Sequence, residues 1–182
     1  MHIYFVFQGK SEPCRNLGNN VEIVQAIVKI GQHSLVPSLN IESSRLLSSL
    51  LRYSKDQEVV RILATEKVTP LLLTLLNSPH SQLLNETLVA LCLLVAPLPP
   101  IPDVVEAIDA EFLSMKILEI LSLEEAQCPK EVKYNAISLV FNILKWNLTS
   151  ISEQFKQSGI QEKLCSYESE LSFIQDMRTL LL

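Results

Sequence analysis

The stretch EVKYNAISLVFNIL, residues 131–144, is apolar on most faces of a helix and polar along one narrow line. Asn135, Ser138, Asn142 and, just beyond, Lys145 fall at i, i+3, i+7 and i+10, one above another on a helix. A surface helix of an ordinary domain shows a broad polar face, and a helix buried all round shows none. A helix flanked on both sides by others of its kind, with one strip left open, meets both conditions. Such a helix implies other copies of itself along the chain.

Three further segments match it in length and hydrophobicity: IESSRLLSSLLRYS, QLLNETLVALCLLV and ELSFIQDMRTLLL. All four long segments, the opening one included, follow a shorter apolar run, namely VEIVQAIVKI, VTPLLLTLL, FLSMKILEIL and IQEKLCSY in chain order. Val24, Leu72, Leu118 and Leu164 hold similar places in those runs, recurring about every 46 residues, inside the armadillo/HEAT period. Shorter amphipathic segments, DQEVVRILATEK, PDVVEAIDAE and SISEQFKQSG, lie between the units. Three helices per unit with a short first one is the armadillo plan. The fold expected is an all-α, right-handed α-solenoid of about four armadillo repeats, the first and last incomplete. Its divisions are an unmatched segment at 1–10, a partial repeat at 11–56, repeats at 57–102 and 103–147, and a partial repeat at 148–182. Pro79, Pro129 and Gly159 fall between helical runs, and APLPPIP reads as a rigid extended connector.

Composition agrees. The chain has 182 residues, 48% of them hydrophobic, only 19% charged, and four glycines. Leucine is about one residue in six, which favours helices over a sandwich or barrel. Ile23, Ile27, Leu46 and Leu50 are expected to face where an earlier repeat would sit. With TLLL at the other end, the chain is expected to be the C-terminal piece of a longer solenoid. MHIYFVF lacks the basic leader and cleavage pattern of a signal peptide.

The same residues weigh against several function classes. A net charge of −5 argues against a nucleic-acid surface. The prolines from Pro97 onward interrupt the longest apolar run, so no membrane insertion is expected. Cys14, Cys92, Cys128 and Cys165 have neither zinc-ligand nor disulfide-framework spacing, and are expected to be reduced and mostly buried, as in the cytosol. His2, His33 and His80 lack a partner at i+3 or i+4, and there is no glycine-rich phosphate loop. No catalytic set, metal site or cofactor is expected. The sequons at Asn85 and Asn147 read as chance matches. Glu106, Asp109, Glu111, Glu119, Glu124 and Glu125 read either as a solvated helical face or as a patch for a basic partner.

The strips on the long helices are the candidate binding surface. They comprise Arg45, Ser48 and Arg52 in the first unit, Gln82, Asn85 and Val89 in the second, and Asn135, Ser138 and Asn142 in the third. Stacking would place them along the concave face. Planar, multi-donor Asn and Arg heads suit a partner's backbone or carboxylates. They suit equally well a bond to the neighbouring repeat, and both readings stand. A generic adaptor that holds extended peptides in the groove is the alternative to any more specific scaffold.

ESSRLLSSLLRYSKDQEVV, NETLVALCLL and CPKEVKYNAISLV, in that order, resemble the last armadillo repeats of the SmgGDS-type stimulators of GDP dissociation from Rap and Rho GTPases. NLGNNVEIVQAIV is similar to the segment just upstream in that family, so the resemblance covers about residues 11–178. Ser44 stands where that family has asparagine, and MHIYFVF has no counterpart. The resemblance implies a cytosolic, non-enzymatic binding protein, monomeric at full length, that engages small GTPases of the Rho/Rap class. It implies stimulated nucleotide release and chaperoning of prenylated, polybasic GTPases. Asn85 and Asn135 match asparagines in the corresponding helices; with the other strip residues Arg45, Arg52, Ser138 and Asn142 they make up the expected partner-binding surface.

Overall fold

The computed structural model of the chain describes residues 11–33 and 35–167. Among them lie eleven α-helices and no strand. The first unit holds α1 (Ser11–Gly18), α2 (Val21–His33) and α3 (Pro37–Ser54). The second holds α4 (Gln57–Thr65), α5 (Val68–Leu75) and α6 (Ser81–Val95). The third holds α7 (Pro102–Ala107), α8 (Ala110–Ser122) and α9 (Lys130–Leu144), and α10 (Thr149–Gln157) and α11 (Ile160–Cys165) begin a fourth. Residues 1–10 and ELSFIQDMRTLLL lie outside the described residues.

The boundaries follow from local chemistry. Pro37 and Pro102 open α3 and α7 within the first two helical positions, where a missing N–H costs nothing. Asp56 caps α4 by accepting from the Glu58 amide, and Asp109 caps α8 by accepting from the Phe112 amide. Pro79 lies in the turn before α6, and Pro129 immediately precedes α9. The corners between the first and second helices of units two and four turn through left-handed residues, Lys67 at φ +62° and Gly159 at φ +75°. Lys55 and Asn147, each just past a long helix, are left-handed too, at φ +52° and +55°. Both pairs are separated by two repeat lengths. The backbone therefore repeats where the side chains do not.

Stacking runs in three rows. α1 packs on α4 and α4 on α7; α2 packs on α5 and α8 on α11; α3 packs on α6 and α6 on α9. The row of long helices is the most extensively packed. One continuous core threads the array, with Leu47, Leu88 and Ile137 fully buried, one in each long helix. Burial of each such side chain contributes about 1.5–3 kcal/mol, and only stacking supplies it.

Two expectations change. Val24, Leu72 and Leu164 are fully buried, but in the third unit Ile117 is the buried residue and Leu118 only partly so. One residue's step turns a side chain about 100° around the helix, and α8 uses it. Ile27 and Leu50, expected to face an absent repeat, are buried, and Ile23 and Leu46 are partly buried. The reason is α1, which packs against α2 and α3 and inserts Cys14 into the same core. α1 thus covers part of the edge that α2 and α3 would otherwise expose.

Candidate functional site

The open face of the long-helix row carries the predicted strips, and their geometry separates them into two kinds. On α9 nearly everything is buried except a line through Glu131, Tyr134, Asn135, Ser138, Phe141 and Asn142, with Lys145 exposed at its end. Asn135 and Asn142 are half-buried, and each gives a side-chain N–H to α6. Asn135 Nδ2 donates to Asn85 Oδ1 at 2.8 Å, and Asn142 Nδ2 to the Cys92 carbonyl at 3.5 Å. Trp146 Nε1, buried just beyond, donates to the Val95 carbonyl at 2.9 Å. Cys92 Sγ in return donates to the Asn135 carbonyl at 3.4 Å. Each amide keeps a second N–H and its oxygen's remaining capacity for another partner. Lys145 lies 4.0 Å over the Phe141 ring, which holds its charge at the lower end of the strip.

Between α3 and α6 the seam is ionic. Arg45 Nε donates to Glu86 Oε1 at 2.9 Å and its Nη1 to Glu42 Oε1 at 3.0 Å. The Arg45 and Glu86 side chains are 24% and 21% exposed, sheltered enough for the pair to be held in one geometry. The hydrogen bond that Arg45 donates to Glu86 raises its guanidinium above the ordinary pKa, against the opposing pull of burial. Ser44 Oγ and Thr87 Oγ1 lie 3.5 Å apart beneath this pair. Ser48, predicted to lie on the open strip, is buried, as is Ser49, and both hydroxyls donate to the Arg45 carbonyl. In a helix such back-bonding to the preceding turn satisfies a buried hydroxyl locally.

A cavity of about 160 Å³ opens where the three long helices meet. Ser48, Ser49, Arg52 and Tyr53 line it from α3, Asn85, Glu86 and Val89 from α6, and Glu131 from α9. Arg52 and Glu131 are exposed, and neither has a hydrogen bond or ion pair among the described residues. Arg45, Arg52 and Asn85 are thus brought together, Asn135 joins them through Asn85, and Ser138 and Asn142 continue along α9.

Sequence reasoning missed Glu42, Glu86 and Glu131. Glu131 had a signal, since it stands at i−4 from Asn135 and extends the same line upward. Glu86 had none, because its partner Arg45 lies on another helix.

The remaining predicted features take simple places. His33 and His80 are exposed, and no group of three or more His, Cys, Asp or Glu among the described residues is arranged to hold a metal ion. Cys14 and Cys128 are buried, Cys92 is half-buried and Cys165 exposed, all four as free thiols. Burial pushes the thiols of Cys14, Cys92 and Cys128 up, that of Cys92 to about 12. Asn85 of the first sequon has its side chain engaged by Asn135. Among the described residues no helix is long and apolar enough to cross a membrane. Glu111 lines a second cavity of about 360 Å³ with Met115 and Leu118 of α8 and Gln154 and Gln157 of α10, away from the long-helix strips.

No protein-family model matches the chain. It is 29% identical over 141 residues to the Rap1 GTPase-GDP dissociation stimulator 1-B of Xenopus laevis, across 76% of this chain and 22% of that protein. It is 30% identical over 138 residues to the 1-A protein of the same frog, across 74% of this chain and 22% of that one. The chain thus spans about a fifth of the length of these curated relatives. Among solved structures, a designed armadillo repeat protein in complex with the peptide (KR)4 superposes with a TM-score of 0.57 at 15% identity, over 97% of this chain and 87% of that one. The chain has the armadillo α-solenoid fold, and its sequence is similar to a segment of two Rap1 GTPase-GDP dissociation stimulators.

Proposed function

We propose that this chain is a binding scaffold for a small GTPase of the Rap/Rho class, and that it stimulates GDP dissociation without catalytic chemistry of its own. The observation that carries the proposal is its match, over three-quarters of its length, to proteins named for that activity on Rap1. The surface offered to the partner is the strip formed by Arg45, Arg52, Asn85, Asn135, Ser138 and Asn142. Release is accelerated by differential affinity: a scaffold that binds the nucleotide-free or loosened GTPase better than the GDP-bound form shifts the population toward release. The protein works in the cytosol, as a monomer at full length, and prenylated polybasic GTPases are among its clients.

The direct test is the release of a fluorescent GDP analogue from Rap1 with and without the full chain. The expected result is faster release that saturates with the chain's concentration. An unchanged rate together with no detectable complex would overturn the proposal. Tight binding of an extended basic peptide in place of the GTPase would point instead to a peptide adaptor.

A further inference from the structure

Sorting the long-helix face by what each polar group already does leaves few groups free for a partner. Arg45 is engaged by Glu86 and Glu42, Ser48 and Ser49 by the Arg45 carbonyl, Asn85 by Asn135, and Asn142 by Cys92. Two formally charged side chains on the walls of the 160 Å³ cavity remain: Arg52 on α3 and Glu131 on α9, without a partner among the described residues. They line the same cavity, with α6 between their helices, and do not pair with each other. Val89 and Tyr53 give the cavity an apolar side, and the Glu86 carboxylate is held by Arg45.

We infer that Arg52 and Glu131 form a two-point charge reader, matched to a folded protein surface that presents a carboxylate and a cationic side chain next to each other. The inference rests on the GTPase-binding reading above and narrows the contact to Arg52 of the strip and Glu131 beside it. Arg52 takes the carboxylate, because a guanidinium binds one through two parallel N–H bonds. Glu131 takes the ammonium or guanidinium beside it. The spacing of the two is set by the braces: Arg45–Glu86 fixes α3 against α6, and Asn135–Asn85 fixes α6 against α9. Asn135 and Asn142 are positioning residues in this scheme. A partner of one charge only would pair at one end and be repelled at the other, so the arrangement selects for an acid–base pair.

The test is binding of Rap1, GDP-bound and nucleotide-free, to the full chain and to its Arg52→Gln and Glu131→Gln variants, singly and combined. Each protein is also melted thermally. Each single variant should bind Rap1 about tenfold more weakly, at moderate salt, with an unchanged melting temperature, since neither side chain holds the fold. The double variant should be weaker than either and should show a shallower salt dependence. If the wild-type chain binds Rap1 and both single variants match it, the inference is overturned while the GTPase reading survives. Failure of the wild-type chain to bind removes both. A melting loss in step with the binding loss would also overturn it.

Discussion

Lys67 turns the corner between α4 and α5 at φ +62°, a conformation that costs a residue with a Cβ about 1–2 kcal/mol. Two repeats later the same corner is made by Gly159 at φ +75°. Lys67→Gly should therefore stabilise the chain. Glycine's extra chain entropy offsets about 0.5–1 kcal/mol of the relief, leaving a gain of a few tenths to about 1 kcal/mol, read as a higher melting temperature. A second residue-scale prediction concerns Ser54 and Thr69, both fully buried with hydroxyls that have no hydrogen-bond partner among the described residues. Leaving such a group unsatisfied costs about 1–3 kcal/mol, so Ser54→Ala or Thr69→Val should raise the urea midpoint. A lower midpoint in both would mean that the hydroxyls are satisfied in solution. Neither position was legible in the sequence. A serine at the end of an amphipathic helix and a lysine in a turn both look ordinary until backbone angle and burial are known.

At the scale of elements, two glycines set how closely the first two units stack. A Cβ on Gly18 of α1 would lie 2.5 Å from Val59 Cγ1 of α4, and one on Gly31 of α2 would lie 2.9 Å from Leu71 Cδ2 of α5. Neither glycine needs a special backbone angle; each is small because another helix is there. Gly18→Ala should cost about 1–3 kcal/mol by overpacking against a stiff β-branched neighbour, measured by chemical denaturation. The long-helix row is fixed differently, by side-chain bonds. Asn85→Ala and Asn135→Ala should each destabilise by about 1 kcal/mol, and the double variant by less than their sum, because the two share one hydrogen bond. Full additivity would show that the bond contributes nothing in solution. Most elements were readable from hydrophobic period and punctuation. The exception is α1, whose Ser-Glu-Pro start and Cys14/Leu17 spacing make too short a pattern to stand out. Missing it made Leu50 look like part of an open edge, when it is core.

At the scale of the molecule, the buried thiols report whether the array is assembled. Burial holds Cys92 protonated to about pH 12. The unfolded chain gives up that proton nearer its ordinary value of 9.0. The stability this provides is therefore fully present below about pH 9 and is lost as the pH rises toward 12. At pH 8 a thiol-labelling reagent should modify exposed Cys165 first, half-buried Cys92 more slowly, and Cys14 and Cys128 only as the array opens. Rapid labelling of all four would contradict the stacked core. The helical class and the armadillo period can be read along the chain, because helix formation and the apolar stripe are local properties written at fixed spacing. So can the polar strips on α3, α6 and α9, apart from Ser48, which is buried. What those strips bond to depends on the stacking. Arg45 finds Glu86, and Asn135 finds Asn85, across gaps of 41 and 50 residues. Pairing between side chains on separate helices depends on how the helices stack, which no pattern along one helix contains.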